Sequence, residues 1–314
     1  MEKMKAIVYN KKGHPERLVY SDVDKPAPND DEVLIKVHSV SLNAADYRSM
    51  KMGLIPKSKI FGADVAGHVE SVGKSISMFK PGDEIIGGLA NFGFGGLAEY
   101  AKAPERALIT KPKAISFEEC AALPMAASTA LQALRDKGKI QISQKVLIVG
   151  SSGGVGTFAV QLAKYFNAVV TGVCSTKNVQ QTLSLGADYV IDYKKDNFTK
   201  DNKRYDIILG INGSYPLLAY KKSLTPNGTY IMIGGSLSQI FKSFLFGWLL
   251  SFGSKKMKSL AAKENKDDLE LLAQLLEKGN IRSVIERSYS LDRAADAMEY
   301  LSQGHSTGKV VINI

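Results

Sequence analysis

From the amino terminus to about residue 110, the chain alternates short apolar-rich runs with turns. Stretches 4–9, 18–21 and 32–40 carry β-branched residues with partial alternation of polar and apolar positions. The Pro-Ala-Pro-Asn-Asp-Asp run at 26–31 reads as a turn between them. Further strands are expected at 64–72, 84–87, 99–103 and 108–110, with glycine-rich joints at Gly82, Gly87, Gly88 and 93–96. Many short strands punctuated by Gly and Pro indicate a β barrel or sandwich.

Near residue 120 the pattern changes. A helix is expected over 118–137, then strand 146–149, helix 154–166, strand 169–173, helix 178–185, strands 189–191 and 207–210, helix 216–223 and strand 229–233. Short apolar strands alternating with amphipathic helices mark a parallel, doubly wound sheet buried on both faces. Beyond 265 come a helix with Leu269, Leu272, Leu275 and Leu276 in apolar period, a short strand, a helix over 294–301 and a strand over 309–314. The chain therefore reads as α/β in two domains, as its 314 residues also suggest.

Composition narrows the class. Hydrophobic residues make up 45% and charged residues 23%, enough to bury real cores. No charge-poor apolar run approaches the ~20 residues of a membrane span, and the first residues read as a strand, without the apolar core of a secretory signal. Cys120 and Cys174 are the only cysteines, too few for a disulfide framework or a four-cysteine metal site, which favours a reducing cytoplasm. The net charge of +10 comes from scattered lysines without an arginine-rich tract or an aromatic RNA-reading motif, so no specific nucleic-acid partner is expected.

The candidate chemistry begins at Gly150-Ser-Ser152-Gly153-Gly154-Val155-Gly156, where a buried strand runs into a glycine turn that opens a helix. Glycines allow a tight turn, close backbone approach to a pyrophosphate and close helix–strand packing, and the helix N-terminus offers free N–H groups to the anion. The next strand ends in Cys174-Ser175-Thr176-Lys177, with no Asp or Glu for a ribose 2′-hydroxyl. Two hydroxyls and a lysine suit a 2′-phosphate, so the expected cofactor is NADP(H).

These residues resemble the medium-chain dehydrogenase/reductases, in particular their zinc-independent quinone oxidoreductase branch. The likeness is carried by 146–164 (VLIVGSSGGVGTFAVQLAK), 41–50 (SLNAADYRSM), 62–73 (GADVAGHVESVG), 80–85 (KPGDEI), 95–100 (GGLAEY), 121–134 (AALPMAASTALQAL), 185–193 (LGADYVIDY) and 308–312 (GKVVI). The resemblance implies a GroES-like β-barrel catalytic domain, 1–119 completed by 264–314, with a Rossmann domain inserted at 120–263. Carried over by position, Thr129 would lie near the nicotinamide, and Ser152 to Val155 would hold the pyrophosphate, with Gly150 and Gly156 also in the cofactor loop. Ser175, Lys177 and Tyr193 would border the adenosine phosphate beside Cys174, while Ile211, Gly234 and Gly235 would line the nicotinamide side. Tyr193 reads equally well as a packing residue. A homodimer is also implied.

Zinc-type alcohol dehydrogenases resemble this chain in fold but place Cys where Asn43 stands and His-Glu where Ala63-Asp64 stands. No metal is therefore expected. His14, His38, His68 and His305 are scattered, and His38 and His68 fall in expected strands, where packing or hydrogen bonding is the simpler reading. Without a Lewis acid, hydride delivery suits a small apolar quinone or the β-carbon of an enal or enone, where charge spreads to a distant oxygen. Asn43 would orient the nicotinamide ribose or the substrate oxygen, Asp46 would cap local backbone rather than act as an acid, and Tyr47 is a candidate donor. Two other readings stand beside this one: a zinc-type alcohol dehydrogenase, and an NADPH-binding redox sensor or RNA binder without turnover. The apolar segment 240–252, flanked by Lys255, Lys256 and Lys258, reads as a helix packed at the substrate site or a dimer contact, as an interfacial helix in weak contact with a membrane surface, or as a lid.

Overall fold

The computed structural model describes residues 2–9, 17–211, 215–234 and 253–314. His14, Gly235 and the apolar segment 240–252 lie outside the described residues. The chain divides into two compact units, Met1–Ser128 with Glu264–Ile314, and Thr129–Lys263.

The first unit opens with strands β1 (Lys3–Tyr9) and β2 (Leu18–Asp24), paired antiparallel. Strand β3 (Glu32–Leu42) is paired along both edges and nearly continuous in buried residues because one face enters the core and a helix packs on the other. A helix not foreseen from the sequence follows, α1 (Ala44–Met52). Its amphipathic signal is weak, and its ends are set locally: Asn43 is the N-cap, and Gly53 closes it at φ +74°. Strands β4 (Asp64–Val72), β5 (Glu84–Gly88), β6 (Tyr100–Pro104) and β7 (Leu108–Thr110) continue the sheet.

The single helix expected over 118–137 is instead interrupted. Helix α2 (Phe117–Ala121) starts at a Ser116/Glu119 capping box and packs on β3 and β4, which keeps it in the first unit. Helix α3 (Pro124–Gln132) begins afresh at a proline, which has no N–H to continue the preceding turn, and runs into a π-helical turn at Ala133–Gly138.

The second unit holds the parallel sheet. Its strands β8 (Lys145–Val149), β9 (Val169–Cys174), β10 (Tyr189–Asp192), β11 (Tyr205–Ile211), β12 (Leu224–Ile233) and β13 (Lys256–Ser259) lie in the order β10-β9-β8-β11-β12-β13. Helices α4 (Gly154–Tyr165), α5 (Val179–Ser184) and α6 (Leu217–Lys222) connect them. The order reverses between β8 and β11, the kind of switch point at which doubly wound sheets bind ligands. Strand β13 escaped the sequence reading because Lys-Met-Lys-Ser buries one apolar side chain, Met257.

The chain returns to the first unit through α7 (Lys266–Glu277), β14 (Ile285–Ser290), α8 (Ala294–Ser302) and β15 (Lys309–Asn313). Strand β15 pairs antiparallel with β3, giving the sheet order β14-β15-β3-β4-β5-β7, with β6 also on β3. Among the described residues no helix is long and apolar enough to cross a membrane.

Candidate active site

In the second unit, β8 is followed at once by Gly150, whose φ of +88° lies in the left-handed region. A Cβ there would stand 2.3 Å from the Ile211 carbonyl oxygen, so only glycine lets the turn pass β11 at the switch point. Gly156, in the first turn of α4, is as constrained: its Cβ would fall 2.1 Å from the Gly150 carbonyl oxygen. Gly153, the N-cap, differs, for its Cβ would meet only the Gly150 oxygen, at 3.8 Å. The turn is thus pressed against its own strand on one side and bare on the other. The first-turn N–H groups of Gly154, Val155 and Gly156 have no acceptor within the helix, and the positive end of the α4 dipole coincides with them.

The ends of β9 and β10 come together beside this loop's own strand. Cys174 is in register with Asp192, and the Tyr193 N–H donates to the Cys174 carbonyl at 3.0 Å. Ser175, Lys177 and Tyr193 therefore follow two adjacent strand ends, Ser175 buried and Lys177 and Tyr193 exposed. The Cys174 thiol is buried against Thr182, and burial raises its pKa, which leaves its backbone as the part bordering the strand end. Asn178, missed from the sequence, donates through Nδ2 to Ser152 Oγ at 2.9 Å and ties the two loops.

An acid does reach this region, from the neighbouring strand. Asp192 accepts from Thr176 Oγ1 at 2.6 Å and from the Lys194 N–H at 3.0 Å, with Lys195 Nζ at 4.0 Å. The Thr176 hydroxyl is thereby engaged, and that hydrogen bond holds the Asp192 carboxyl below its usual range. Ile211 ends β11, Gly234 follows β12 at φ +68°, and Thr129 is buried on α3.

In the first unit, polar side chains gather at one end of the sheet. Register puts Val311 opposite Ser41, Ser41 opposite Asp64, and Asp64 opposite Gly88, with Asn43 and Lys309 one step beyond the β3–β15 ladder. Asn43 Nδ2 donates to Asp64 Oδ2 at 2.9 Å and to the Ser41 carbonyl at 3.3 Å. Lys309 Nζ donates to Asn43 Oδ1 at 2.6 Å and to the Leu42 carbonyl at 3.2 Å, and lies 3.9 Å from Asp64 Oδ2. The Met125 N–H also donates to Asp64 Oδ2. Burial pushes the Asp64 carboxyl up and the Lys309 ammonium down. Ser41 Oγ and Asp64 Oδ1 are buried without a protein partner.

Asp46 is a backbone cap in this structure. Its two oxygens accept from the Asn43 N–H at 2.8 Å and the Gly62 N–H at 3.1 Å, and complete burial pushes its carboxyl up to about 7. Tyr47 is half-buried against the barrel core, near the Arg48 guanidinium. The two strand histidines are hydrogen-bonded to each other, His38 Nε2 to His68 Nδ1 at 2.9 Å, with His38 stacked on Phe117. Lys309 was not singled out from the sequence, although a lysine inside an apolar strand signals a buried partner.

Comparison with known proteins places these features. Residues 29–113 match the family model described as "Alcohol dehydrogenase GroES-like domain", and residues 185–312 the one described as "Zinc-binding dehydrogenase". The "Chloroplast envelope quinone oxidoreductase homolog" of Arabidopsis thaliana is 33% identical, covering 98% of each chain. The "NADPH-dependent alkenal/one oxidoreductase, chloroplastic" of the same plant is 31% identical over 99% of this chain and 80% of its own. The solved structure of the quinone oxidoreductase from Coxiella burnetii superposes with a TM-score of 0.90 over 100% of both chains, at 27% identity.

The zinc named in one of these descriptions does not fit the donor set. Asn43, Asp64 and Lys309 amount to a carboxamide, one carboxylate and a cation, and an ammonium held between the first two opposes a second positive charge. Among the described residues no group of three or more His, Cys, Asp or Glu is arranged to hold a metal. A dinucleotide does fit the second unit, whose bare glycine turn at a helix N-terminus is shaped for a pyrophosphate.

Proposed function

Because the chain belongs to the medium-chain dehydrogenase/reductase superfamily, in its quinone oxidoreductase-like branch, we propose that it is an NADPH-dependent reductase of quinones or of enals and enones that works without a catalytic zinc. When bound, the dinucleotide supplies the hydride. The Gly150–Gly156 turn holds the pyrophosphate by the N–H groups of the first turn of α4, and Gly153 lets the backbone approach it. Ser175 and Lys177 receive the adenosine 2′-phosphate, with Tyr193 beside them, and Thr129, Ile211 and Gly234 border the nicotinamide. NADPH is favoured over NADH because β9 ends in Ser175, Thr176 and Lys177 without an acid of its own, and the neighbouring Asp192 carboxylate already holds Thr176 and Lys194.

One observation carries the substrate class: the Asn43–Asp64–Lys309 cluster offers no metal-ligating set. An isolated carbonyl gains an alkoxide on reduction and needs a strong electrophile beside it, whereas a quinone or enone delocalises the charge. Asn43 orients the cofactor or substrate, and Asp46 supports Asn43 through its backbone. Tyr47, the phenol on α1, is the candidate for a proton-donating role. The cytoplasmic location and the homodimer belong to the same proposal; two buried free cysteines fit a reducing compartment, and sedimentation would test the dimer.

Initial rates of NADPH and NADH oxidation at 340 nm against a panel of quinones, enals, enones and saturated ketones test the reading. A quinone or enal should oxidise NADPH in preference to NADH, and saturated ketones should not react. Equal rates with saturated ketones would overturn the proposal. Tight NADPH binding without turnover on any acceptor would favour a sensor instead.

A further inference from the structure

We propose that the second unit carries a peripheral docking surface for anionic phospholipid, formed by the cations gathered where its parallel strands begin. The inference goes beyond the reductase activity and does not depend on it.

The charge of the chain is divided unevenly. Residues 129–263 hold 18 Lys and Arg against 6 Asp and Glu, a net +12, whereas the first unit holds 23 against 25, a net −2. The whole positive excess therefore lies in the parallel-sheet unit, and such asymmetry marks a polyanionic partner. A dinucleotide at the glycine turn does not account for it. That turn follows the end of β8, and the cations collect at the opposite end of the same sheet. Lys137 and Lys139 lie on the approach to β8, Arg204 immediately before β11, Lys222 two residues before β12, and Lys255 immediately before β13.

Two lysines here have a local task. Lys255 Nζ donates to the Lys221 carbonyl at 2.9 Å and Lys258 Nζ to the Lys137 carbonyl at 2.8 Å, which sets cations at the C-terminal ends of α6 and of the π-helical turn. Burial, then Arg204 and Lys221, lowers the Lys255 ammonium; burial, then Lys139, Lys137 and Lys256, lowers that of Lys258. Like charges thus crowd both sides of β13. Lys139, Arg204, Lys222 and Lys256 are exposed. The acids at this end are occupied by other groups: Asp136 by Arg135, Asp201 by Lys203, and Asp206 by the Lys145 N–H and the Thr225 hydroxyl.

The chemistry of the cluster selects the occupant. Strand β13 is the edge of its sheet, and a second copy of the chain applied there would set lysine against lysine. Lysine ammoniums are point charges without the planar fork that reads phosphates and base edges bidentately, and Arg204 already donates to the Asp201 and Lys203 carbonyls. A field of mobile anionic headgroups needs charge density alone. The proposed apolar acceptors also concentrate in bilayers, which adds to this choice without being required by it.

Flotation of the full-length protein with vesicles of phosphatidylcholine containing about 30 mol% phosphatidylglycerol, against vesicles of phosphatidylcholine alone, tests the surface. The wild type should float with the anionic vesicles only, and should be released as NaCl rises from about 0.05 to about 0.5 M. Each cation near an anionic surface is worth about fivefold in partitioning, so Lys139→Gln/Lys222→Gln/Lys256→Gln should weaken it by about a hundredfold. Lys57→Gln/Lys74→Gln/Lys113→Gln removes as much charge from exposed positions of the first unit and should leave partitioning little changed. Equal losses in the two triple variants, or a wild type that ignores anionic vesicles at low salt, would overturn the proposal. Retention of polyuridylate without vesicle binding would assign the cluster to nucleic acid and overturn it too. So would a wild-type dimer, seen by sedimentation, that the first triple variant alters while no vesicle is bound. The assay needs neither NADPH nor acceptor, so a protein without reductase activity would sink the proposed function and leave this test readable.

Discussion

A methyl group added at Gly153 and, separately, at Gly156 distinguishes a phosphate-binding turn from one that is merely tight. At Gly153 the backbone is extended, at φ −80° and ψ 176°, and a Cβ would meet nothing nearer in its own chain than the Gly150 oxygen at 3.8 Å. Alanine there should cost less than about 1 kcal/mol of stability, the range of N-cap changes. If a pyrophosphate packs on that bare face, the methyl holds it away from one or two N–H donors. Each such charge-assisted bond is worth about 1.5–3 kcal/mol, so the NADPH Kd should rise at least about tenfold and up to about a hundredfold or more. Gly156→Ala acts differently. Its Cβ would sit 2.1 Å from the Gly150 oxygen, and since such contacts are not found below 3.0 Å, helix and strand must part by about 0.9 Å. That overpacking should cost about 1–3 kcal/mol of stability and weaken binding as well, by lifting the same N–H groups. Urea unfolding and calorimetric titration with NADPH measure the two effects on the same samples. A Gly153→Ala protein with wild-type affinity would refute the phosphate assignment. So would a Gly156→Ala protein that loses stability yet binds NADPH normally.

Three further outcomes are expected. Lys177→Glu should weaken NADPH by at least about tenfold, the value of one charge-assisted phosphate contact, with far less effect on NADH; equal losses would remove the 2′-phosphate from Lys177. Asp192→Asn takes a negative charge from beside Thr176 and should tighten NADPH relative to NADH in the same titrations; weaker NADPH binding would show that Asp192 serves to hold the Thr176–Lys194 turn in shape. Asp46 has its carboxyl raised by burial from 3.8 to about 7. The folded chain therefore binds more protons than the unfolded one in that window, and the Asp46 contribution is greatest in acid and declines as pH rises through it. The stability difference between wild type and Asp46→Asn should accordingly shrink from pH 4 to pH 7 in urea titrations. Parallel pH profiles for the two proteins would contradict the assignment.

The parts of the site that were legible in the sequence are those built from contiguous residues. Gly150, Gly153, Gly154 and Gly156 follow an apolar strand and open a helix within seven positions, so turn, close approach and dipole can all be read together. Asn43 and the absence of a His-Glu pair at 63–64 were legible for the same reason. Lys309 was not, because its significance depends on β15 returning to pair with β3, which no local pattern announces. Asp192 was overlooked likewise: reading along β9 finds no acid at its end, and the acid arrives sideways from β10. Helix α3 shows the opposite error. Pro124 stood in plain view, but the apolar period of 118–137 ran through it and concealed the break.

Conjugate hydride transfer is tested most directly by following the label from the nicotinamide. NADPH deuterated at C4 is incubated with the protein, after dialysis against a chelator, and an α,β-unsaturated ketone, and the product is examined by NMR. The expected result is a saturated ketone with deuterium on the β-carbon and a solvent proton on the α-carbon. Deuterium on the carbonyl carbon of an allylic alcohol, with activity that returns only on adding zinc, would contradict it.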